Sequence, residues 1–177
     1  MDLSKSWRSG VDSNFGESSE RFNLVAEDGS LFFVTDKGTL YELNQEDGKE
    51  NDAFETIYRA SSGVTRHDDV LYFGTYDAQL VAASMSSKSI LWEKTLSSEV
   101  LSESAYAAGK LAIQTADGWL SVLDASTGDT QWRAKEDLPS LTVRGTSAPI
   151  IANGKVIAGF ADGKLKAYDL QTGSLVW

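Results

Sequence analysis

The chain has 177 residues, 16 basic and 26 acidic side chains for a net charge of −10, and no cysteine. Disulfides, thiolate metal sites and a cysteine nucleophile are excluded within these residues. The lack of a basic stripe argues against nucleic acid and anionic lipid as partners. No apolar run predicts a membrane span and no cleavable leader is recognised. We expect the chain, which ends inside a repeat, to be a segment of a longer one.

One pattern recurs four times along the chain. Each copy turns at an Asp-Gly position, turns again at a Thr-Gly position and closes on a tryptophan position. The tryptophan position is filled in chain order by Trp7, Asp52, Trp92, Trp132 and Trp177. The glycine of the Thr-Gly position is filled by Gly48, Lys88, Gly128 and Gly173. A fixed period of about 40 residues indicates an array of small β-sheets.

Each copy predicts a four-stranded antiparallel meander, because short apolar runs alternate with turn residues at intervals of about 8–12 residues. We therefore predict an all-β fold, a β-propeller with about four blades, with a two-sheet sandwich as the main rival. The predicted organisation is an N-terminal strand and linker over 1–21 and blades over 22–58, 59–94, 95–135 and 136–177. The last range includes an inter-blade linker and a truncated final strand.

The recurring tryptophans have a packing explanation. A single small sheet cannot bury both of its faces, so neighbouring copies must cover one another. An indole ring on the outermost strand can lie between adjacent sheets, and its N–H can reach a carbonyl of the neighbour. We expect Trp92 and Trp132 to dock in this way, with Gly128 and Gly173 shaping the turns.

Residue types that support catalysis or metal binding form no convincing group. The single histidine, His67, precedes Asp68 and Asp69, and this trio could either hold a metal ion or form a solvated turn. A transition metal would require a second histidine or a cysteine, which favours the turn. Nucleophile-elbow, phosphate-loop and EF-hand motifs do not occur. We therefore predict no catalytic residue, no metal and no cofactor.

The linker over 136–145 is the most distinctive segment between two copies. It contains Leu141, Val143 and Arg144, bounded by Pro139 and Gly145. The two apolar side chains could begin an innermost strand and point into the core. Alternatively, they form an exposed apolar pair beside Arg144, a composition typical of protein docking sites. The sequence leaves both interpretations open.

Two motifs carry a resemblance to known proteins. Ala167-Tyr-Asp-Leu-Gln-Thr-Gly-Ser-Leu-Val-Trp177 resembles the signature of PQQ-like propeller repeats. The linker Asp137-Leu-Pro-Ser-Leu-Thr-Val-Arg-Gly-Thr-Ser-Ala-Pro149 is similar to the corresponding linker of the BamB family of outer-membrane assembly lipoproteins. The resemblance extends over essentially the whole chain.

That resemblance implies an eight-bladed propeller in the periplasm, of which about half is present here. It implies a non-enzymatic scaffold tethered to the outer membrane by a lipidated N-terminal cysteine, which these residues lack. It also implies binding to the POTRA domains of BamA through Leu141, Val143 and Arg144, and it leaves contact with unfolded outer-membrane clients open. Because acidic docking positions of the family come later in the chain, we expect this segment alone to bind BamA weakly.

Two other functions remain open. A fragment of a PQQ-dependent quinoprotein dehydrogenase would share the repeats, although such enzymes usually need a vicinal cysteine pair. A generic peptide-binding propeller could add a client strand to an exposed blade edge. The ring could be completed by a second copy or by another chain. Since five tryptophan positions compete for four blades, we expect the residues near Trp7 to pair with a neighbouring chain or to lie loose.

Overall fold

The computed structural model describes residues 6–10, 23–140 and 146–177, and these ranges contain fifteen strands and no helix. The first sheet consists of β1 (Val25–Glu27), β2 (Ser30–Val34), β3 (Thr39–Asn44) and β4 (Glu50–Glu55). The second consists of β5 (Ala60–His67), β6 (Val70–Thr75), β7 (Gln79–Ser84) and β8 (Ser89–Thr95). The third consists of β9 (Ala105–Ala107), β10 (Lys110–Gln114), β11 (Trp119–Asp124) and β12 (Thr130–Lys135). The fourth consists of β13 (Ile150–Ala152), β14 (Lys155–Gly159) and β15 (Leu165–Asp169).

Every sheet is an antiparallel meander in which consecutive strands are neighbours. In the fourth sheet the final strand is reduced to one bridge between Tyr168 and Leu175. The pairing of the third and fourth strands shifts by one residue at equivalent places in the first three sheets, after Glu42, Ala82 and Val122. The repeated shift shows that the copies are equivalent in three dimensions as well as in sequence.

Turn chemistry explains where the strands end. Between β9 and β10, Ala108 and Gly109 have φ angles of 50° and 73°, the pair of positive values that a two-residue type I′ hairpin requires. Between β11 and β12, the Asp124 carboxylate accepts backbone N–H bonds from Ser126 at 2.9 Å and Thr127 at 3.2 Å. Such side-chain bonds replace the ladder bonds that stop at the turn.

The cores lie between the sheets. Three separate apolar clusters fill the three spaces between consecutive sheets, and each is built from facing side chains of two neighbours. In β11, for example, Leu120 and Val122 point toward the fourth sheet, whereas Leu123 points toward the second. A sandwich would have one core between two sheets. The predicted all-β propeller of stacked antiparallel blades is therefore confirmed, and the sheets are called blades 1 to 4 below.

Removing one of these facing side chains tests the stacked cores. Leu120 is fully buried between blades 3 and 4. We expect Leu120→Ala to lower the free energy of unfolding by about 2–5 kcal/mol, because it removes apolar contacts and leaves a cavity. Denaturant unfolding measures this change.

Leu91→Ala is the matched control. Leu91 lies on β8 and is 51% exposed, so the same truncation there should change the stability by about 0.5 kcal/mol or less. Equal losses in the two variants would contradict an inter-blade core at Leu120.

Candidate functional site

The predicted docking residues Leu141, Val143 and Arg144 lie outside the described residues, but both flanks of their linker are described. On the upstream side, Glu136 directly follows β12 and begins the linker from blade 3 to blade 4. Its carboxylate accepts a hydrogen bond from the Tyr168 hydroxyl at 2.7 Å and pairs with the Lys166 ammonium. Its backbone N–H donates to the Gly118 carbonyl at 3.0 Å. These contacts hold the start of the linker at the outer part of the interface between the two blades.

The titration behaviour of this network follows from its geometry. The hydrogen bond from Lys166 holds the pKa of Glu136 below its usual range, against the opposing effect of burial. Burial, assisted by the Glu136 carboxylate, raises the pKa of Tyr168 well above its usual value. At neutral pH, Glu136 is therefore ionised and Tyr168 is protonated.

On the downstream side, Ser147 fixes the entry into blade 4. Its hydroxyl donates to the Gly159 carbonyl at 2.9 Å and accepts from the Gly159 N–H at 3.1 Å. Its carbonyl accepts from the buried Ser102 hydroxyl of blade 3 at 3.1 Å, and Ser102 in turn accepts from Thr146. Both described flanks of the linker are therefore held to the blades by hydrogen bonds.

The interfaces between blades are formed by the recurring tryptophans. The indole N–H of Trp92 donates to the Ala125 carbonyl of blade 3 at 3.0 Å. The indole N–H of Trp132 donates to the Leu170 carbonyl of blade 4 at 2.9 Å. Each ring lies against the turn glycine of the following blade. A Cβ added to Gly128 would come within 2.7 Å of the Trp92 ring, and one added to Gly173 would come within 2.7 Å of the Trp132 ring.

The interface between blades 1 and 2 uses a different pair. Asp52 fills the tryptophan position of blade 1, and Lys88 fills the turn-glycine position of blade 2. The Lys88 ammonium pairs with the Asp52 carboxylate and donates to the Ala53 carbonyl at 3.0 Å. Lys88 also keeps the positive φ of the glycine that it replaces, at 50°. The two atypical residues of the repeat therefore contact each other. The repeat spacing shows that each position is atypical, but it does not show that the two residues meet.

Trp7 packs against blade 1, so the expectation that the residues near it lie loose is wrong. Its indole N–H donates to the Gln45 carbonyl at 3.0 Å, and its ring lies against Gly48. Gln45 is equivalent in the repeat to Ala125, so Trp7 occupies on blade 1 the position that Trp92 occupies on blade 3. Residues 6–10 form no strand. Trp7 therefore docks as a ring without belonging to a sheet of the described residues.

The opposite end of the array presents an apolar face. Three apolar side chains of blade 4 lie at positions that, in the preceding blade, face the following blade. They are Ile150, Leu165 and Trp177, and they are 55%, 60% and 54% exposed, respectively. Their equivalents in blade 3 are Ala105, Leu120 and Trp132, which pack against blade 4. The face of blade 4 thus has the composition of an inter-blade surface.

His67 is the last residue of β5 and directly precedes the turn formed by Asp68 and Asp69. Its ring stacks on Tyr106 with centroids 3.9 Å apart, and Asp68 occupies the hairpin turn with a φ of 51°. Across the described ranges, no group of three or more His, Asp or Glu side chains is placed to hold a metal ion. The same ranges contain no helix with the length and apolar character needed to cross a bilayer.

The antiparallel sheets of this structure pack on one another through an indole ring that contacts a turn glycine of the next sheet. This arrangement defines a PQQ-like β-propeller. A family profile described as outer membrane protein assembly factor BamB matches residues 52–177. The chain belongs to this family.

Individual relatives agree with the family profile. BamB of Nitrosomonas eutropha is 33% identical over 156 residues, covering 88% of this chain and 38% of that protein. BamB of Yersinia pestis is 28% identical over 184 residues, covering 98% of this chain and 47% of that protein. The chain thus spans less than half the length of these curated relatives.

Solved structures share the fold. The crystal structure of BamB from Moraxella catarrhalis superposes with a TM-score of 0.81 at 23% identity, covering 90% of this chain and 49% of that one. A europium-containing methanol dehydrogenase superposes with a TM-score of 0.59 at 27% identity, covering 67% of this chain and 24% of that one. The repeat architecture is therefore common to assembly factors and to enzymes.

The indole–glycine contact generates a test with an internal control. We expect Gly109→Ala to lower the free energy of unfolding by about 1–2 kcal/mol, because its φ is 73° but nothing lies within 4 Å of an added Cβ. Gly128→Ala, at a φ of 76°, adds the overlap with the Trp92 ring and should cost about 1–3 kcal/mol more. Denaturant unfolding compares the two variants, and equal losses would contradict a packed ring at Gly128.

The Glu136 network predicts a pH-dependent contribution to stability. Because folding lowers the pKa of Glu136, its contribution is complete above the unfolded pKa and is lost as the pH falls through the folded value. We expect Glu136→Gln to lower the free energy of unfolding by about 1 kcal/mol at about pH 7, and this difference from the parent to shrink toward about pH 3. Glu46→Gln, at an exposed turn position, is the control and should leave the unfolding curve nearly unchanged. A deficit for Glu136→Gln that is the same at both pH values would contradict the role assigned to the ionised carboxylate.

Proposed function

We propose that the chain is part of a non-enzymatic scaffold for outer membrane protein assembly, acting on the periplasmic side of that membrane. The observation that carries this proposal is membership of the BamB family, whose profile matches residues 52–177. The chain spans less than half of its relatives, so the activity of the whole protein is inferred from the family rather than from these residues alone. In the full-length protein, an N-terminal lipid would supply the membrane tether.

The partner is proposed to be the POTRA domains of BamA, bound through the linker that contains Leu141, Val143 and Arg144. The family resemblance of the linker supports this assignment. The anchored flanks support it too, since Glu136 and Ser147 are each held by several hydrogen bonds from the blades. A loop with fixed ends loses less conformational freedom on binding than a free loop does. Within it, apolar side chains can enter a groove while an arginine fixes the orientation by paired hydrogen bonds.

The quinoprotein alternative has weaker support. Fold similarity hardly separates the two functions, because a quinohemoprotein alcohol dehydrogenase covers 97% of this chain at a TM-score of 0.75 and the assembly-factor structure covers 90% at 0.81. Sequence separates them, since BamB of Nitrosomonas eutropha is 33% identical over 88% of this chain. The family profile also carries the assembly-factor description rather than an enzymatic one. Fold similarity alone does not transfer a reaction between proteins. The scaffold is therefore the function that the comparisons favour.

Arg144→Ala tests the docking loop. We expect the affinity for purified POTRA domains of BamA from the same organism to fall by about tenfold or more, because an arginine at the centre of a small interface is a common hot spot. Surface plasmon resonance measures the affinity. It compares the 177-residue chain with the longest form of the protein that its gene encodes, since the chain alone is expected to bind weakly.

Arg59→Ala is the matched control for charge and side-chain size. Arg59 is exposed and lies over the Tyr76 ring at 5.3 Å, away from the linker in sequence. Its substitution should leave the affinity unchanged. Binding that survives Arg144→Ala undiminished would remove the linker from the interface, and no binding by the full-length parent would remove BamA as the partner.

A further inference from the structure

A cleft of about 490 Å³ lies between blades 2 and 3. It opens beside β8 and β12, the outermost strands of the two blades. Its lining side chains include one apolar residue, Leu96, and no carboxylate. The lining residues used here are Lys94, Thr95, Thr115, Ser121, Thr130 and Arg133.

Positive charge from both blades meets at this cleft. Lys94 lies on β8 opposite Leu80, on the face that packs toward blade 3. Arg133 lies on β12, and its guanidinium carbon is 4.1 Å from the centre of the Trp119 ring. The Lys135 ammonium lies 5.2 Å from the centre of the same ring. Three cations and one aromatic face thus share one side of an acidic protein.

These cations have no acidic partner among the described residues. Several other cations of the described chain pair with acids, as Arg66 does with Glu27 and Lys166 does with Glu136. The one acid bonded to the lining is Asp117, and it accepts hydrogen bonds from the Thr115 hydroxyl at 2.6 Å and from the Ser97 hydroxyl. Like charges that face each other across a narrow cleft repel, and an anion placed between them relieves that repulsion.

The cluster is not a requirement of the repeat. In blade 2 the residues equivalent to Arg133 and Lys135 are Glu93 and Thr95, and the residue equivalent to Trp119 is Gln79. Glu93 accepts a hydrogen bond from Tyr58 of blade 1 and so closes the corresponding interface. The cationic group is therefore a property of this one cleft and not of propeller packing.

We propose that the cleft between blades 2 and 3 binds an acidic peptide segment. Lys94 and Arg133 pair with its carboxylates, and the hydroxyls of Thr95, Ser121 and Thr130 donate additional hydrogen bonds. The outer edges of β8 and β12 offer backbone groups to an extended chain. A polypeptide fits better than a lipid surface or nucleic acid, because the net charge of −10 repels both of those extended polyanions.

The test measures binding of a fluorescein-labelled hexaglutamate peptide to the 177-residue chain by fluorescence anisotropy at about 50 mM salt, where surface charge is weakly screened. We expect saturable binding that weakens by about tenfold in the K94Q/R133Q double variant. Hexalysine and hexaglutamine peptides should not bind. Addition of hexaglutamate should also shift the indole N–H signal of Trp119 in a ¹⁵N spectrum, assigned with Trp119→Phe.

The control is K37Q/R59Q, which removes one lysine and one arginine from exposed positions. Arg59 lies over Tyr76 as Arg133 lies over Trp119, so the control also removes one cation–π contact. Its affinity for hexaglutamate should match that of the parent. If both double variants lost the same affinity for hexaglutamate, net charge alone would explain the binding, and the proposal would be overturned. Failure of the parent to bind would overturn it as well. A shift in the other indole signals without one at Trp119 would place the peptide elsewhere and overturn it too.

Discussion

The contact between an indole ring and a turn glycine on the next blade is the constraint on which this structure depends. Trp92 on Gly128 and Trp132 on Gly173 each combine ring packing with a hydrogen bond to the carbonyl three residues before the glycine. The ring can approach only because the turn has no Cβ there. The glycine therefore serves both the left-handed turn and the interface. One residue type thus satisfies the local backbone and the tertiary packing together.

The exception at the first interface supports the same view. Where the ring is replaced by Asp52, the glycine is replaced by Lys88, and the two side chains pair across the interface. The hydrophobic core beneath them is retained, since Phe32, Leu40 and Phe73 remain packed between blades 1 and 2. An exposed ion pair contributes little compared with a buried ring. At this interface, the core rather than the rim supplies most of the attraction.

Blades that contact only their neighbours leave their connecting loops and outer clefts free to differ. The linker before blade 4 uses this freedom, because Glu136 and Ser147 hold its ends while the blades keep their geometry. The cleft between blades 2 and 3 uses it too, since Arg133 and Lys135 stand where blade 2 has Glu93 and Thr95. Repeat scaffolds bind partners through such deviations, which cost the stacked core nothing. The proposed scaffold function and the proposed acidic-peptide site therefore have the same structural origin.

Much of the fold follows from periodicity alone. The spacing of Trp92 and Trp132, with Gly128 in step, predicts four-stranded sheets and their stacking, because a regular repeat implies regular contacts. The sequence also marked the linker with Arg144 and the two degenerate positions, Asp52 and Lys88. Turn chemistry is local, and the Asp-Gly and Thr-Gly positions predict where the strands end for that reason.

Other features were decided only by the tertiary structure. Three examples join different blades or distant segments: Asp52 pairs with Lys88, Trp7 docks on Gly48, and Lys94 and Arg133 line one cleft. Sequence spacing assigns each residue to a position within its own blade. Which side chains meet across an interface depends on the stagger and twist between two sheets, and no local pattern encodes that geometry.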